Sequence, residues 1–112
     1  MQIQPANIFA SLPEHSDQEL FTTLLERPGC RIERIISYGQ TSPEEFWYDQ
    51  AWDEWVLLTQ GAAEIDLGDR KVALTPGDHL FIPAGQKHRV TLTAPDQPTI
   101  WLAVHLNTAT GV

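Results

Sequence analysis

Tyr48, Gln50, Glu54 and His88 have the types and spacing of a mixed ligand set. Alternate side chains of an extended segment share a face, so Tyr48 and Gln50 point the same way. Ala51-Trp52-Asp53 reads as a tight turn that delivers Glu54 to the start of the next strand. His88 follows the turn at Pro83 to Lys87 and opens a further extended run, from which it can enter the same interior across a closed sheet. A phenol, an amide, a carboxylate and an imidazole together resemble the sets that hold iron, manganese, nickel or zinc, and spacing does not choose among those ions. Two of the four, the neutral amide and the phenol, are weaker ligands than imidazoles. Glu54 and Tyr48 are also the candidates for moving a proton. In the metal-free alternative, Glu54 and His88 hydrogen-bond each other while Gln50 and Tyr48 position water or a ligand, because buried polar groups must find partners.

Further candidates surround this quartet. His105 and His79 are pocket candidates whose facing depends on strand register, and Trp52 is placed to sit at a cavity mouth. His15 lies in a polar stretch and reads as a solvated loop residue. Trp47, Trp55 and Trp101 read as core or interface, and Arg89 should face away from His88 toward an ion pair. Cys30 is a single cysteine without a recognisable base beside it, and is read as a plain buried or half-buried thiol. Gly77-Asp78 has no following helix or lysine signature, so a turn explains it better than a phosphate loop.

Positioning these groups falls to a succession of short β-favouring runs: Arg31 to Tyr38, Phe46 to Gln50, Glu54 to Thr59, Ala62 to Leu67, Lys71 to Leu74, His79 to Ile82, His88 to Thr93 and Thr99 to His105. Gly, Pro, Asn or Asp chemistry closes nearly every one, which is the rhythm of a small all-β sandwich or barrel. Glu19 to Glu26 is ambiguous, with capping-box spacing at Ser16 and Glu19 but extended-chain preference at Thr22 and Thr23. Residues 1–18 are expected to form an irregular arm, 19–107 the barrel and 108–112 a tail.

Two stretches resemble the paired motifs of the cupin superfamily, and the chain is similar to its small single-domain members of the cupin 2 type. Gly77, Pro83, Gly85 and His88 stand at the spacing of the second motif, and Glu54 with Gly61 matches the second half of the first. The two histidines that the family places upstream of that glutamate are here Tyr48 and Gln50. The resemblance implies a double-stranded β-helix, or jelly-roll, barrel, and it resolves Glu19 to Glu26 toward strand. It implies a metal-capable site at His88, Glu54, Gln50 and Tyr48, and a twofold dimer.

The 112 residues allow one domain, and a formal charge of -8 disfavours partners recognised through phosphates or anionic lipid surfaces. No apolar run approaches the length of a membrane span, and the first basic residue is Arg27, so a cytoplasmic protein without nucleic-acid or membrane partners is expected. Sheet edges need pairing, which the arm could supply to a neighbouring subunit of a homodimer. The leading function is a small cupin that binds a small organic molecule in its cavity, metal-capable and acting by Lewis-acid or acid–base chemistry. The alternatives are a metal-free, non-enzymatic ligand-binding or sensor module, and a structural subunit whose tryptophans form an exposed patch.

Overall fold

Turns built on glycine, proline and aspartate cut the chain into eight strands in the computed structural model, which describes residues 3–107. The expected tail over residues 108–112 lies outside the described residues, as do the first two residues of the arm. The strands are β1 Leu20–Arg27, β2 Cys30–Ser37, β3 Asp53–Gln60, β4 Ala63–Asp66, β5 Lys71–Leu74, β6 His79–Ile82, β7 Arg89–Thr93 and β8 Thr99–Leu106. All pairings are antiparallel, in a five-stranded sheet of order β1-β2-β8-β3-β6 and a three-stranded sheet of order β5-β4-β7. No helix forms among the described residues, so none is long and apolar enough to cross a membrane. The architecture is the expected all-β jelly-roll barrel.

Strand parity decides what the interior contains. On the inner face, Glu54 pairs with His105 and His105 with Arg31; the next row is Val56, Ala103 and Glu33; the third is Leu58, Trp101 and Ile35. The interior therefore grades from charged at one end to apolar at the other. At the apolar end Val56, Leu58, Trp101 and Ala103 of the large sheet pack on Ala63, Ile65 and Leu74 of the small one, which closes the barrel floor. The polar end remains hollow.

Two features, the segment Phe46 to Gln50 and the partners of Arg89, differ from expectation. Phe46 to Gln50 makes no strand, only an isolated bridge from Tyr48 to His88, because Phe46 N–H turns back to the Pro43 carbonyl at 3.0 Å and no other strand lies alongside. The arm carries no strand among its described residues. It is tied to its own chain, with Arg34 Nη1 donating to the carbonyls of Ile8 (3.0 Å) and Ala10 (2.8 Å) and Gln40 Nε2 to that of Ser16 (3.0 Å). Arg89 forms no ion pair among the described residues; its Nη2 donates to the carbonyls of Ser42 and Pro43, both at 3.3 Å, and its guanidinium lies 5.8 Å from the Trp47 ring.

The turn before β6 illustrates how short polar contacts hold the motif. Asp78 Oδ2 accepts from Thr75 N at 2.8 Å and from Thr75 Oγ1 at 3.1 Å, and these bonds hold its carboxyl below the usual carboxylate range. A depressed native pKa contributes stability above the unfolded value and loses it as pH falls through the native one. Asp78→Asn is therefore expected to melt slightly below the parent at pH 7, with the gap closing in acid. A gap unchanged between pH 7 and pH 2.5 would reject this account.

Candidate functional site

The hollow end is a cavity of about 330 Å3 whose lining joins both sheets and the 42–52 loop. That volume lies at the lower end of the roughly 300–1,000 Å3 typical of small-molecule pockets. Apolar walls come from Phe21, Ile35, Val56, Ile65, Ile82, Val90 and Trp101, and polar groups from Glu19, Arg31, Glu33, Ser42, Tyr48, Gln50, Trp52, Glu54, His88 and His105. Tyr48, Gln50, Glu54 and His88 are thus brought to one chamber, with Trp52 and His105 in the same wall. His79 is not: it projects from the outer face of β6, where its ring lies 5.5 Å from that of Trp55. Its register parity with Phe81 rather than Ile82 puts it there.

Backbone bonds assemble the quartet from distant segments. Tyr48 N donates to His88 O at 2.7 Å and His88 N to Tyr48 O at 3.1 Å, while Gly85 N reaches the Gln50 carbonyl at 2.8 Å. Ala84 N donates to Asp53 Oδ1 at 2.9 Å, tying the Pro83 to Lys87 turn to the start of β3. These four bonds bring His88 beside Glu54, with His88 Nε2 3.7 Å from Glu54 Oε1. That is beyond hydrogen-bond range.

Hydrogen-bond bookkeeping fixes what each atom offers. His88 Nδ1 lies 3.0 Å from the Gln86 carbonyl, which can only accept, so Nδ1 carries hydrogen and Nε2 of the neutral ring offers a lone pair to the cavity. Gln50 Nε2 donates to Glu54 Oε1 at 3.1 Å, leaving Gln50 Oε1 buried without a partner. Two acceptors, His88 Nε2 and Glu54 Oε1, therefore face each other at 3.7 Å, and the Gln50 amide donates to the second of them. Burial raises the Glu54 pKa above the ordinary carboxylate value; the nearby His105, His88 and Arg31 oppose that rise and Glu33 adds to it. Tyr48, stacked on His88 with ring centroids 5.4 Å apart, has its phenol pKa raised by burial and then by Glu19 and Glu54. Tyr48 is accordingly a hydrogen-bearing phenol rather than a phenolate.

His105 has a different role. Trp52 Nε1, which can only donate, reaches His105 Nδ1 at 2.9 Å, so the other nitrogen, Nε2, carries the hydrogen that Glu33 Oε1 accepts at 2.8 Å. Both ring nitrogens are taken, and His105 has no lone pair left for the chamber. Glu33 and Arg31, with Nε 3.8 Å from Glu33 Oε2, were not singled out by sequence reasoning. The available signal was their shared phase in β2, opposite that of Ile32 and Ile36.

Residues 34–105 match the Cupin_2 family, a cupin domain. The chain belongs to the cupin family. A Ralstonia eutropha JMP134 structure bearing a provisional mannose-6-phosphate isomerase name superposes with a TM-score of 0.90 at 46% identity, covering 94% of this chain and 99% of that one. A cupin superfamily protein of Desulfitobacterium hafniense DCB-2 superposes at 0.77 with 22% identity, covering 95% and 93%, and shares the fold. The rat 3-hydroxyanthranilate 3,4-dioxygenase is 32% identical over 84 residues, 74% of this cupin but 29% of the dioxygenase. This cupin thus spans under a third of the length of the dioxygenases it matches, the human enzyme included, at 30% identity and 30% coverage.

Among the described residues no three of His, Cys, Asp and Glu gather as a metal-holding group. His88 Nε2 and Glu54 Oε1, 3.7 Å apart, would offer a divalent transition ion one imidazole and one carboxylate, whereas Gln50 turns its Nε2 rather than its oxygen toward Glu54. With a single available imidazole, that fit is weaker than a site of two or three.

Proposed function

We propose that this cupin binds a small organic molecule in its cavity, held by a proton-bearing group against His88 Nε2 and Glu54 Oε1, and that the same two atoms accept a divalent transition ion. The observation carrying this reading is the facing pair His88 Nε2 and Glu54 Oε1, 3.7 Å apart with the Gln50 amide bonded to Glu54, at the polar end of a chamber whose floor is apolar. Such a pair calls for an electropositive guest. The resemblance to 3-hydroxyanthranilate 3,4-dioxygenases and to the Ralstonia protein agrees with ring- or sugar-sized ligands. A bound ion supplies Lewis acidity toward a ligand oxygen. Glu54, with its raised pKa, gives or takes a proton at Oε1, and the Tyr48 phenol donates a hydrogen bond from the cavity rim. Phe21, Trp101 and the aliphatic walls exclude water from the buried part of the ligand.

A second reading is a metal-free binding module, favoured by the engagement of both His105 nitrogens. Calorimetric titration of protein purified without a nickel column or chelator separates the two. With Mn2+, Fe2+, Ni2+ or Zn2+, one ion per chain is expected, and His88→Ala should weaken binding at least about a hundredfold, since even groups that merely orient ligands are worth about 10–100-fold. No heat with any ion, together with a small-molecule thermal shift that His88→Ala abolishes, supports the metal-free module. Neither ion nor small molecule acting through His88 would overturn both.

A further inference from the structure

Charge in the chamber is one-sided. Among the residues that line it, Glu19, Glu33 and Glu54 bring carboxylates against the guanidinium of Arg31, whose Nε lies 3.8 Å from Glu33 Oε2. The two histidines in the wall do not offset the excess. His105 accepts from Trp52 Nε1 at 2.9 Å and gives its hydrogen to Glu33 Oε1 at 2.8 Å, so its ring is held neutral. His88 keeps its hydrogen on Nδ1, 3.0 Å from the Gln86 carbonyl. Two of the carboxylates have donors of their own, since Glu19 Oε2 accepts from Ser37 Oγ at 2.6 Å and Glu33 is bonded to His105. Glu54, 8% exposed, is left with the neutral Gln50 amide at 3.1 Å as its donor. A buried carboxylate without a paired cation is costly. A separate observation concerns His88, which is 6% exposed and lines the same cavity, yet its Nε2 makes no hydrogen bond among the described residues. One wall offers a charge and the other a lone pair.

We propose, building on the reading of the cavity as a small-molecule site, that its occupant is an organic cation: a protonated amine on an apolar body, with the ammonium nitrogen between Glu54 Oε1 and His88 Nε2. Two acceptors 3.7 Å apart can both lie about 2.9 Å from a single nitrogen, and a primary ammonium has three hydrogens to share between them. A hydroxyl has one hydrogen and satisfies one acceptor. A carboxylate or phosphate brings no hydrogen when ionised and meets like charge in a chamber where little water screens it. The aromatic rings of Phe21, Tyr48 and Trp101 in the wall suit a positive charge, because ring faces attract cations. The body of the molecule then extends from the polar pair toward the apolar floor, where Val56, Ile65 and Trp101 receive it. A cavity of about 330 Å3 limits that body to one ring or a short chain. The formal charge of -8 on the whole chain also draws cations rather than anions toward the mouth.

Matched probes test the proposal. Calorimetric titration of the full chain, purified without a nickel column or chelator, compares an amine, an alcohol and a carboxylate on each of three bodies: benzyl, cyclohexylmethyl and butyl. On at least one body the amine should bind at least about tenfold more tightly than the alcohol, because charge-assisted hydrogen bonds are roughly twice as strong as neutral ones. The carboxylate should give no heat. Glu54→Gln should bring that amine and its alcohol to within about threefold of each other. Asp96→Asn removes one negative charge at an exposed position outside the cavity and should leave the preference unchanged. Unchanged circular dichroism is the folding control for both variants.

An alcohol or carboxylate that binds as tightly as its amine, and is lost in His88→Ala, overturns the cation and leaves the small-molecule reading in place. An amine preference that survives Glu54→Gln, or that Asp96→Asn removes equally, overturns the seat beside Glu54. Binding that His88→Ala leaves untouched removes the cation and the reading of the cavity together. Silence from every probe overturns the cation as well, and the small-molecule reading then rests on the titrations described above.

Discussion

Gly61→Ala is expected to destabilise the protein by about 3–5 kcal/mol and to lower its melting temperature by about 12 °C or more. Gly61 turns the chain from β3 into β4 at a φ of +91°, and a Cβ there would stand 2.5 Å from Thr99 Oγ1 and 2.8 Å from Thr99 Cα. The neighbour cannot yield. Thr99 is fully buried at the start of β8, and its hydroxyl accepts from Ala94 N at 3.0 Å while donating to the Ala62 carbonyl at 3.3 Å. Backbone strain and overpacking therefore add. Gly77 provides the internal comparison: its φ is +96°, yet nothing lies within 4 Å of its notional Cβ, so Gly77→Ala carries the strain alone. Chemical denaturation should give Gly61→Ala a loss larger than that of Gly77→Ala by about 2 kcal/mol. Equal losses would show that the contact with Thr99 relaxes freely, and that Gly61 is needed for its dihedral angles only.

Why the sequence reveals some of this architecture and not the rest follows from how far each determinant acts. β5 and β6 begin and end where the residue pattern puts them, because a glycine or proline within a few positions stops each run. Phe46 to Gln50 has the composition of a strand and is not one, since pairing depends on a neighbour elsewhere in the chain, and only His88 is there to meet Tyr48. His79 and His105 were equivalent as isolated letters. One residue of register separates an outer-face histidine against Trp55 from an inner-face histidine bonded to Trp52 and Glu33. Glu33 is 72 positions from His105, and their meeting depends on β2 lying beside β8, a strand order that no local pattern encodes. The second motif, by contrast, carries its own turn, and the bonds of Ala84 and Gly85 to Asp53 and Gln50 explain why its histidine arrives beside Glu54.

Glu54→Gln should move stability and ion affinity in opposite directions. Glu54 is 8% exposed, and burial raises its pKa above the ordinary carboxylate value despite the nearby His105, His88 and Arg31. A group whose native pKa is raised leaves stability intact below its unfolded value and erodes it as pH climbs through the native one. Glutamine removes the ionisation while its amide oxygen can still accept from Gln50 Nε2. The variant and the parent should therefore melt together in acid, below the unfolded carboxylate value, and diverge as pH rises toward neutrality, with the variant higher. The same change deletes the only anionic member of the acceptor pair, so affinity for Mn2+ or Zn2+ should fall about a hundredfold or more, beyond the roughly 10–100-fold that ligand-orienting residues command. A stable fold that has lost its ion would mark Glu54 as a residue retained for its chemistry at a cost in stability. A melting temperature that drops at neutral pH would point the other way. It would mean that the carboxylate, 3.7 Å from His88 Nε2, stabilises the native state as an ion-pair partner, and the acid–base assignment to Glu54 would fall with it.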